Sequence, residues 1–104
     1  MLKILKGCER ELESVPEGLR EALADAVARL EAGQMLSLPL SRPMPGIGKG
    51  VHELRLKDRS GVYRIVYALR GGEVYLLHAF KKTTQQTPHK SIALAKKRLR
   101  EVPQ

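Results

Sequence analysis

Arginine and lysine side chains alternate with apolar side chains in the second half of this sequence. The cations of interest lie in segments 50–67 and 77–82 and are Arg55, Lys57, Arg64, Lys81 and Lys82. Successive residues of a strand project to opposite faces of a sheet, so the pattern predicts one apolar and one cationic face. A cationic sheet on so small a protein is typical of a surface that binds a polyanion, and RNA is the partner we favour.

The same side chains could cleave RNA as well as bind it. The 2′-hydroxyl attacks the adjacent phosphate if one group accepts its proton, another stabilises the phosphoryl charge and a third protonates the leaving oxygen. This chemistry requires neither a metal ion nor a protein nucleophile. The guanidinium of Arg64 suits the second role, because it is planar, matches phosphate oxygens and stays charged. A lysine crowded by other cations has a lowered pKa and can act as base or acid.

Structural roles are open for two of these candidates. Arg64 could pair with Glu53 or Glu73 across the sheet, and His78 could be a core histidine. We expect Arg64 to lie on the exposed face, where the substitution Arg64→Ala would abolish activity and leave the fold intact. We expect Lys82→Ala to weaken cleavage at high salt more than at low salt if Lys82 contacts a phosphate.

Other kinds of site are poorly supported. The glycine-rich segment 46–50 lacks the Walker spacing and precedes a strand, so we interpret it as a flexible entry to that strand. His52, His78 and His89 lie far apart in the sequence, and we expect neither a metal site nor a cofactor. Cys8 is the single cysteine and has no base nearby, which excludes an internal disulfide and disfavours a nucleophile.

The 104 residues predict one domain, 1–104, with a net charge of +8. The charge is uneven: residues 1–33 hold 5 basic and 7 acidic side chains, whereas residues 34–104 hold 14 basic and 4 acidic ones. A mildly acidic helical part joined to a strongly basic part suggests a scaffold with an anion-binding surface. The first residues are too few and too charged for a signal peptide, and no apolar run is long enough to span a membrane. We therefore expect a cytoplasmic protein.

The first third of the chain is predicted to be mainly helical. Residues 2–4 fit a short strand, and one or two helical turns are expected over 9–13. Segment 14–17 has the spacing of a capping box, Ser14 to Glu17, ahead of a clear helix that ends near Gly33. The inward side of this helix is defined by apolar residues at helical spacing, which are Leu19, Ala22, Leu23, Ala26, Val27 and Leu30.

Three strands and a basic helix follow a proline- and glycine-rich connection over 34–50. Loops at 58–61 and at Gly71-Gly72 predict two hairpins. A final helix begins after Thr87-Pro88, with Ile92, Ala95 and Leu99 facing inward. The predicted fold class is α+β, with a small antiparallel sheet of about four strands, N-terminal helices on one face, a C-terminal basic helix, and the other face open.

Several segments, in their order and spacing, carry a family resemblance. They include Glu53-Leu54-Arg55, Tyr63-Arg64, Leu77-His78-Ala79-Phe80-Lys81-Lys82 and the basic helix that ends at Leu99, and together they lie within 43–49, 50–55, 60–67, 77–82, 84–88 and 97–99. On these residues the chain resembles the HigB-like, phage-derived branch of the RelE/ParE toxin superfamily. The resemblance covers most of the chain.

The resemblance implies the toxin of a type II toxin–antitoxin system. Such toxins enter the ribosomal A site and cut mRNA during translation without a metal ion. The implied partners are the ribosome, mRNA and a cognate helix-turn-helix antitoxin of the HigA type. Operator DNA would be contacted only through the complex with the antitoxin, and no membrane is implied.

The resemblance also implies roles for individual residues of this chain. Arg64 matches the strand arginine that contacts the scissile phosphate, and Lys82 matches the cation that follows the phenylalanine of the last strand. His78 and Tyr63 are further candidates for catalysis. The RNA-binding candidates are Arg55, Lys57, Arg59, Lys81, His89 and Lys90.

The chain departs from the family pattern at two positions. Thr83 and Gln86 stand where lysine is usual, so two cations are missing from the expected RNA edge, although Lys81 could compensate. Two alternatives stay open. One is a ParE-like toxin that inhibits DNA gyrase without enzymatic activity, against which the basic cluster argues. The other is a toxin that binds RNA and has lost cleavage, which Thr83 and Gln86 favour.

Overall fold

A computed structural model describes residues 2–82 and 87–103. The α+β class is confirmed. The elements in chain order are β1 (Leu2–Ile4), α1 (Lys6–Leu12), α2 (Glu17–Glu31), β2 (Ser41–Pro43), β3 (Val51–Asp58), β4 (Gly61–Arg70), β5 (Glu73–Lys82) and α3 (His89–Leu99).

Within the described residues the strands form one five-stranded sheet in the order β1-β5-β4-β3-β2. Strands β2 to β5 pair antiparallel, whereas β1 pairs parallel to β5. The sheet is therefore mixed and contains one strand more than expected. No hairpin links β1 to β5, so nothing local sets their relative direction, and β2 comes from the proline-rich connection, where no strand pattern is visible.

Both predicted hairpins are present. Asp58 pairs with Gly61, and the Asp58 carboxylate accepts hydrogen bonds from the backbone amide of Ser60 at 2.8 Å and from its hydroxyl at 2.6 Å. At the second turn Gly71 and Gly72 have φ of 56° and 80°, a left-handed conformation that favours glycine at both positions. These local signals set the antiparallel register of β3, β4 and β5.

Helix α2 buries its predicted apolar stripe except for Ala22, which is exposed, and it does not use the predicted capping box. Leu19, Leu23, Ala26, Val27 and Leu30 are buried against one face of the sheet. The N-cap is Pro16, and the Ser14 hydroxyl donates to the carbonyl of Glu11 at 2.8 Å. Because Ser14 lies two residues before the cap, its hydroxyl serves the end of α1 instead.

The prediction that the second face of the sheet is open is wrong. Val51, Val66, Ala68 and Leu77 form a second core cluster with Ala95 of α3. Ile92 and Leu99 pack against the same cluster, as predicted for the inward side of α3. Strand β4 carries apolar residues on both faces over much of its length, and such a strand must be covered on both sides. Helices α1 and α2 therefore lie on one face and α3 on the other.

Candidate functional site: a cationic hollow beside the β3–β4 hairpin

Strand register brings several predicted cations to the same face of the sheet. Arg55 of β3 lies directly opposite Arg64 of β4. Two residues further along β3, Lys57 lies opposite Val62 of β4, and Val62 lies opposite Lys82 of β5. Since residues paired across antiparallel strands project to the same side, Arg55, Lys57, Arg64 and Lys82 share the face that α3 covers elsewhere.

Three of these cations surround a surface depression, the cationic hollow. Its volume is about 590 Å³, and it is lined by Pro39, Leu40, Arg55, Lys57, Val62 and Lys82. The described residues that line it include no carboxylate. A depression with guanidinium and ammonium groups and no competing anion in its wall is suited to a phosphate group.

Arg64 is not exposed, and this expectation from the sequence is wrong. The residue is 1 % exposed, and its Nη1 lies 3.0 Å from Oε1 of Glu53, which is itself 0 % exposed. Arg64 Nη1 also donates to the Thr87 hydroxyl at 2.9 Å, and that hydroxyl donates to Glu53 Oε2 at 2.9 Å. The interpretation of Arg64 as an arginine paired with Glu53 is confirmed. Arg64→Ala is therefore expected to destabilise the fold, because it would leave the buried Glu53 carboxylate without its main cationic partner.

The surroundings of Glu53 explain why arginines can lie so close together. Arg55 and Arg64 are directly opposite each other, an arrangement of like charges that is destabilising by itself. Glu53 is the only buried carboxylate among the described residues, and Arg42 of β2 approaches it from the other side, with Nε 3.5 Å from Oε1. One carboxylate thus compensates part of the charge of several cations, and the rim of the hollow stays positive.

The same crowding acts on Lys82. Partial burial lowers the pKa of Lys82 from its ordinary value, and the positive charges of Arg64 and Arg55 lower it further. A lysine with a lowered pKa exchanges a proton more readily near neutral pH. Lys82 is therefore the side chain in the hollow best suited to acid–base chemistry.

Other predicted residues lie elsewhere. Tyr63 and Lys81 are paired across β4 and β5 and project to the opposite face, where Lys81 Nζ is 5.9 Å from the centre of the Tyr63 ring. Arg59 is exposed in the hairpin turn. His89 and Lys90 are exposed at the start of α3, close in sequence to Thr87. Thr83 and Gln86 lie outside the described residues.

His78 belongs to a separate buried network. Its Nδ1 is 2.8 Å from Glu11 Oε1, and its Nε2 is 3.1 Å from the Ser91 hydroxyl. The imidazole also stacks on Phe80 at 5.1 Å between ring centres. Since His78 is 6 % exposed and does not line the hollow, these contacts favour the core histidine over the catalytic one.

Sequence reasoning missed Arg42 and Thr87 as members of the site. Arg42 lies in the proline-rich connection, where nothing in the sequence indicates a strand. Thr87 is expected from the sequence only as the residue ahead of a helix, but its hydroxyl links Arg64 to Glu53. Glu53 did carry a signal, because it has the same strand periodicity as Arg55 and is one of few acidic residues in the basic part of the chain.

Other chemistry finds little support in the described part of the chain. It contains no group of three or more His, Cys, Asp or Glu side chains that could hold a metal ion. Burial raises the pKa of Cys8 to about 12, so its thiol is a packing group. None of the described helices is long and apolar enough to cross a membrane.

Fold and site together define a small, basic α+β protein with a cationic hollow at one end of its sheet. The chain belongs to the family described as Phage derived protein Gp49-like (DUF891), whose model matches residues 10–100. Its fold is similar to that of a chain in the crystal structure of the RelB–RelE antitoxin–toxin complex from Methanococcus jannaschii. That match has a TM-score of 0.56 and 16 % identity, and it covers 76 % of this chain and 88 % of the other. The comparison with curated proteins yields no match.

Proposed function

We propose that this protein is the toxin of a type II toxin–antitoxin system and that it cleaves mRNA on the ribosome. Membership of the Gp49-like family and similarity of fold to a chain of the RelB–RelE complex support the toxin assignment. The observation that carries the ribonuclease assignment is the convergence of Arg55, Lys57 and Lys82 on one hollow without a carboxylate in its described lining.

In this proposal each residue of the hollow has its own role in the cleavage reaction. Arg55 and Lys57 bind the scissile phosphate and stabilise the charge that builds up on its oxygens. Lys82 exchanges a proton with the 2′-hydroxyl as its oxygen bonds to phosphorus, or with the leaving oxygen as its bond to phosphorus breaks, because its pKa is lowered by burial and by Arg64 and Arg55. A water molecule makes the other of the two proton transfers. Arg64 is a positioning residue: its contacts with Glu53 and Thr87 hold it directly opposite Arg55 on the neighbouring strand, where it adds positive potential.

No divalent metal ion takes part in the proposed reaction. The attacking nucleophile is the 2′-hydroxyl of the RNA, and the compensating positive charge comes from side chains. A hollow lined by Arg55, Lys57 and Lys82 repels a divalent cation and attracts a phosphate. The cations therefore take the place that a metal ion has in other nucleases.

Binding of RNA without cleavage is a second candidate function. Tyr63 and His78 do not line the hollow, whereas Lys82 does, and burial and neighbouring cations lower its pKa. A toxin with a single proton-transfer group and a strong phosphate site would block translation by occupancy. Gyrase inhibition has no comparable support, since the cations of the hollow are suited to RNA.

The proposed partners follow from the same assignment. They are mRNA, the ribosome and a helix-turn-helix antitoxin of the HigA type, encoded beside the toxin. Operator DNA is contacted through the toxin–antitoxin complex, and the site of action is the cytoplasm. No cofactor is required.

Induced expression in cells, with and without the neighbouring antitoxin gene, tests the proposal. Growth arrest that the antitoxin relieves, together with new mRNA ends inside codons, is the expected result. Lys82→Gln should keep the protein folded and remove the new ends, whereas Arg29→Gln on the exposed side of α2 should leave them unchanged. Arrest with intact transcripts would favour binding without cleavage, and altered DNA supercoiling would favour the gyrase alternative.

A further inference from the structure

A second cationic depression lies between α1 and α3, apart from the cationic hollow. This α1–α3 groove has a volume of about 590 Å³. Lys6 and Arg10 of α1 and Lys97 of α3 form its walls, and Arg98 lies between them with Glu11. Glu101 completes the charged residues, so four cations face two carboxylates.

Two hydrogen bonds fix the position of Arg98 in the groove. Arg98 Nη1 donates to Glu11 Oε1 at 2.7 Å and to the carbonyl of Leu77 at 2.9 Å. The guanidinium lies against the backbone of α1 at Gly7, where a Cβ atom would overlap Arg98 Nη2. Gly7 therefore gives the guanidinium room that a larger residue would occupy.

Glu11 contributes little negative charge to this groove. One of its oxygens, Oε1, accepts hydrogen bonds from Arg98, from the amide of Ala79 at 3.1 Å, and from His78 when Nδ1 carries the proton. By contrast, Lys6, Arg10 and Lys97 are exposed, and in the described part of the chain none of them forms an ion pair. Lys6, Arg10 and Lys97 are therefore available to an anion, and they outnumber Glu101, the exposed carboxylate of the described lining.

We propose that the α1–α3 groove binds phosphate groups of the RNA backbone and forms a second contact surface, separate from the cationic hollow. Leu94 is the one large apolar side chain in the described lining, whereas an amphipathic protein segment would require an apolar groove. RNA presents a phosphate at every nucleotide, and each phosphate that a cation of the groove neutralises releases counterions. The inference rests on the proposed function only in taking RNA as the ligand.

The salt dependence of RNA binding tests the groove separately from cleavage. The probe is a short single-stranded RNA with 2′-O-methyl riboses, which binds but cannot be cut by attack of the 2′-hydroxyl. The variant Arg10→Gln/Lys97→Gln removes one cation from each wall. The logarithm of the binding constant decreases as the logarithm of the salt concentration rises. We expect this dependence to become shallower, its slope shrinking in magnitude by roughly 0.7 for each phosphate that is no longer neutralised, about 1.4 for the pair.

The matched control is Arg29→Gln/Lys49→Gln, which removes the same charge from exposed positions outside the groove. It should leave the slope unchanged, and so excludes an effect of net charge alone. A groove variant whose slope equals that of the wild type or the control would overturn the proposal. Thermal unfolding of both variants confirms that the comparison is made between folded proteins.

Arg55→Gln/Lys82→Gln in the hollow separates the two proposals. If it weakens binding while the groove variant does not, the groove proposal fails and the function stands. If only the groove variant lowers the slope, the groove proposal stands and the phosphate role of the hollow fails.

Lysine footprinting gives an independent readout. Acetylation followed by mass spectrometry should show that the RNA protects Lys6 and Lys97 and leaves Lys49 reactive. Protection by an oligoglutamate peptide and not by RNA would identify an acidic protein as the ligand, and would overturn the assignment to RNA.

Discussion

Arg64 illustrates how one side chain can serve both the fold and the site. Its guanidinium is buried with the Glu53 carboxylate and the Thr87 hydroxyl, directly opposite the half-buried Arg55. Burial lowers the pKa of Arg64, an effect that Glu53 opposes and that Arg42 and Arg55 reinforce, but a guanidinium stays charged in proteins. Its positive charge is thus a fixed part of the structure next to Arg55 of the hollow.

Removing this guanidinium should destabilise the protein strongly. Arg64→Ala leaves Glu53 as a buried carboxylate without its main partner, and we expect a decrease of about 3–5 kcal/mol in the free energy of unfolding. Chemical denaturation measures it, with Arg59→Ala in the exposed turn as the control, expected to change stability by less than about 0.5 kcal/mol. Adding Glu53→Gln to Arg64→Ala should restore part of the stability. Equal stability of Arg64→Ala and Arg59→Ala would contradict the buried ion pair.

Lys82 should titrate below the ordinary lysine pKa of about 10.4. Because Arg55 is one of the cations that disfavour the ammonium form, Arg55→Gln should raise the pKa of Lys82 and shift any cleavage step that uses the neutral amine to higher pH. NMR titration of the Lys82 side chain measures the change, with Arg59→Gln as a control that should not move it. A Lys82 pKa that is insensitive to Arg55→Gln would exclude the electrostatic coupling.

The helices are joined to the sheet by polar contacts as well as by the apolar cores. Glu11 of α1 receives donors from β5 and from Arg98 of α3, so one carboxylate ties together three elements. Burial raises the pKa of the Glu11 carboxyl, but hydrogen bonds from Arg98, His78 and the Ala79 amide together hold it below its ordinary value. The folded state therefore stabilises the ionised form of Glu11.

This network makes stability depend on pH in a defined direction. A carboxyl with a lowered folded pKa contributes stability that is fully present above its unfolded pKa of about 4.3 and is lost as pH falls through the folded pKa. Glu11→Gln should cost about 1.5–3 kcal/mol at neutral pH, and its difference from the wild type should shrink on acidification below about pH 4. Denaturation across this pH range measures it, with exposed Glu21→Gln on α2 as the control. A difference that stays constant down to low pH would mean that the charge of Glu11 is not what stabilises the contact.

The sequence indicates the elements much better than their packing. Helix α2 and the two hairpins follow from apolar periodicity and from glycine-containing turns, which act over a few residues. The side of the sheet that α3 covers, and the parallel pairing of β1, depend on contacts between distant parts of the chain. Strand periodicity likewise acts locally, and it predicts the cationic face that carries Arg55, Lys57 and Lys82. It cannot show that the Thr87 hydroxyl, from a distant part of the chain, links the buried Arg64 to Glu53.

For the molecule as a whole, charge is segregated by position. The two apolar cores lie between the helices and the sheet, while exposed and half-buried cations gather at the hollow near the β3–β4 hairpin and at the α1–α3 groove. The formal net charge of +8 is therefore concentrated on surfaces that could meet a long polyanion. This arrangement favours RNA as the partner over a compact anion that needs only one site.

A purified translation reaction with a defined mRNA tests the central claim most directly. Mapping of mRNA 3′ ends should show cuts that depend on ribosomes and on the wild-type protein, and that disappear with Arg55→Gln/Lys82→Gln while Arg29→Gln cuts normally. The double variant must first be shown to be folded. Intact mRNA with the wild-type protein, or unchanged cleavage by the folded double variant, would contradict the assignment of the cationic hollow as the place where RNA is cut.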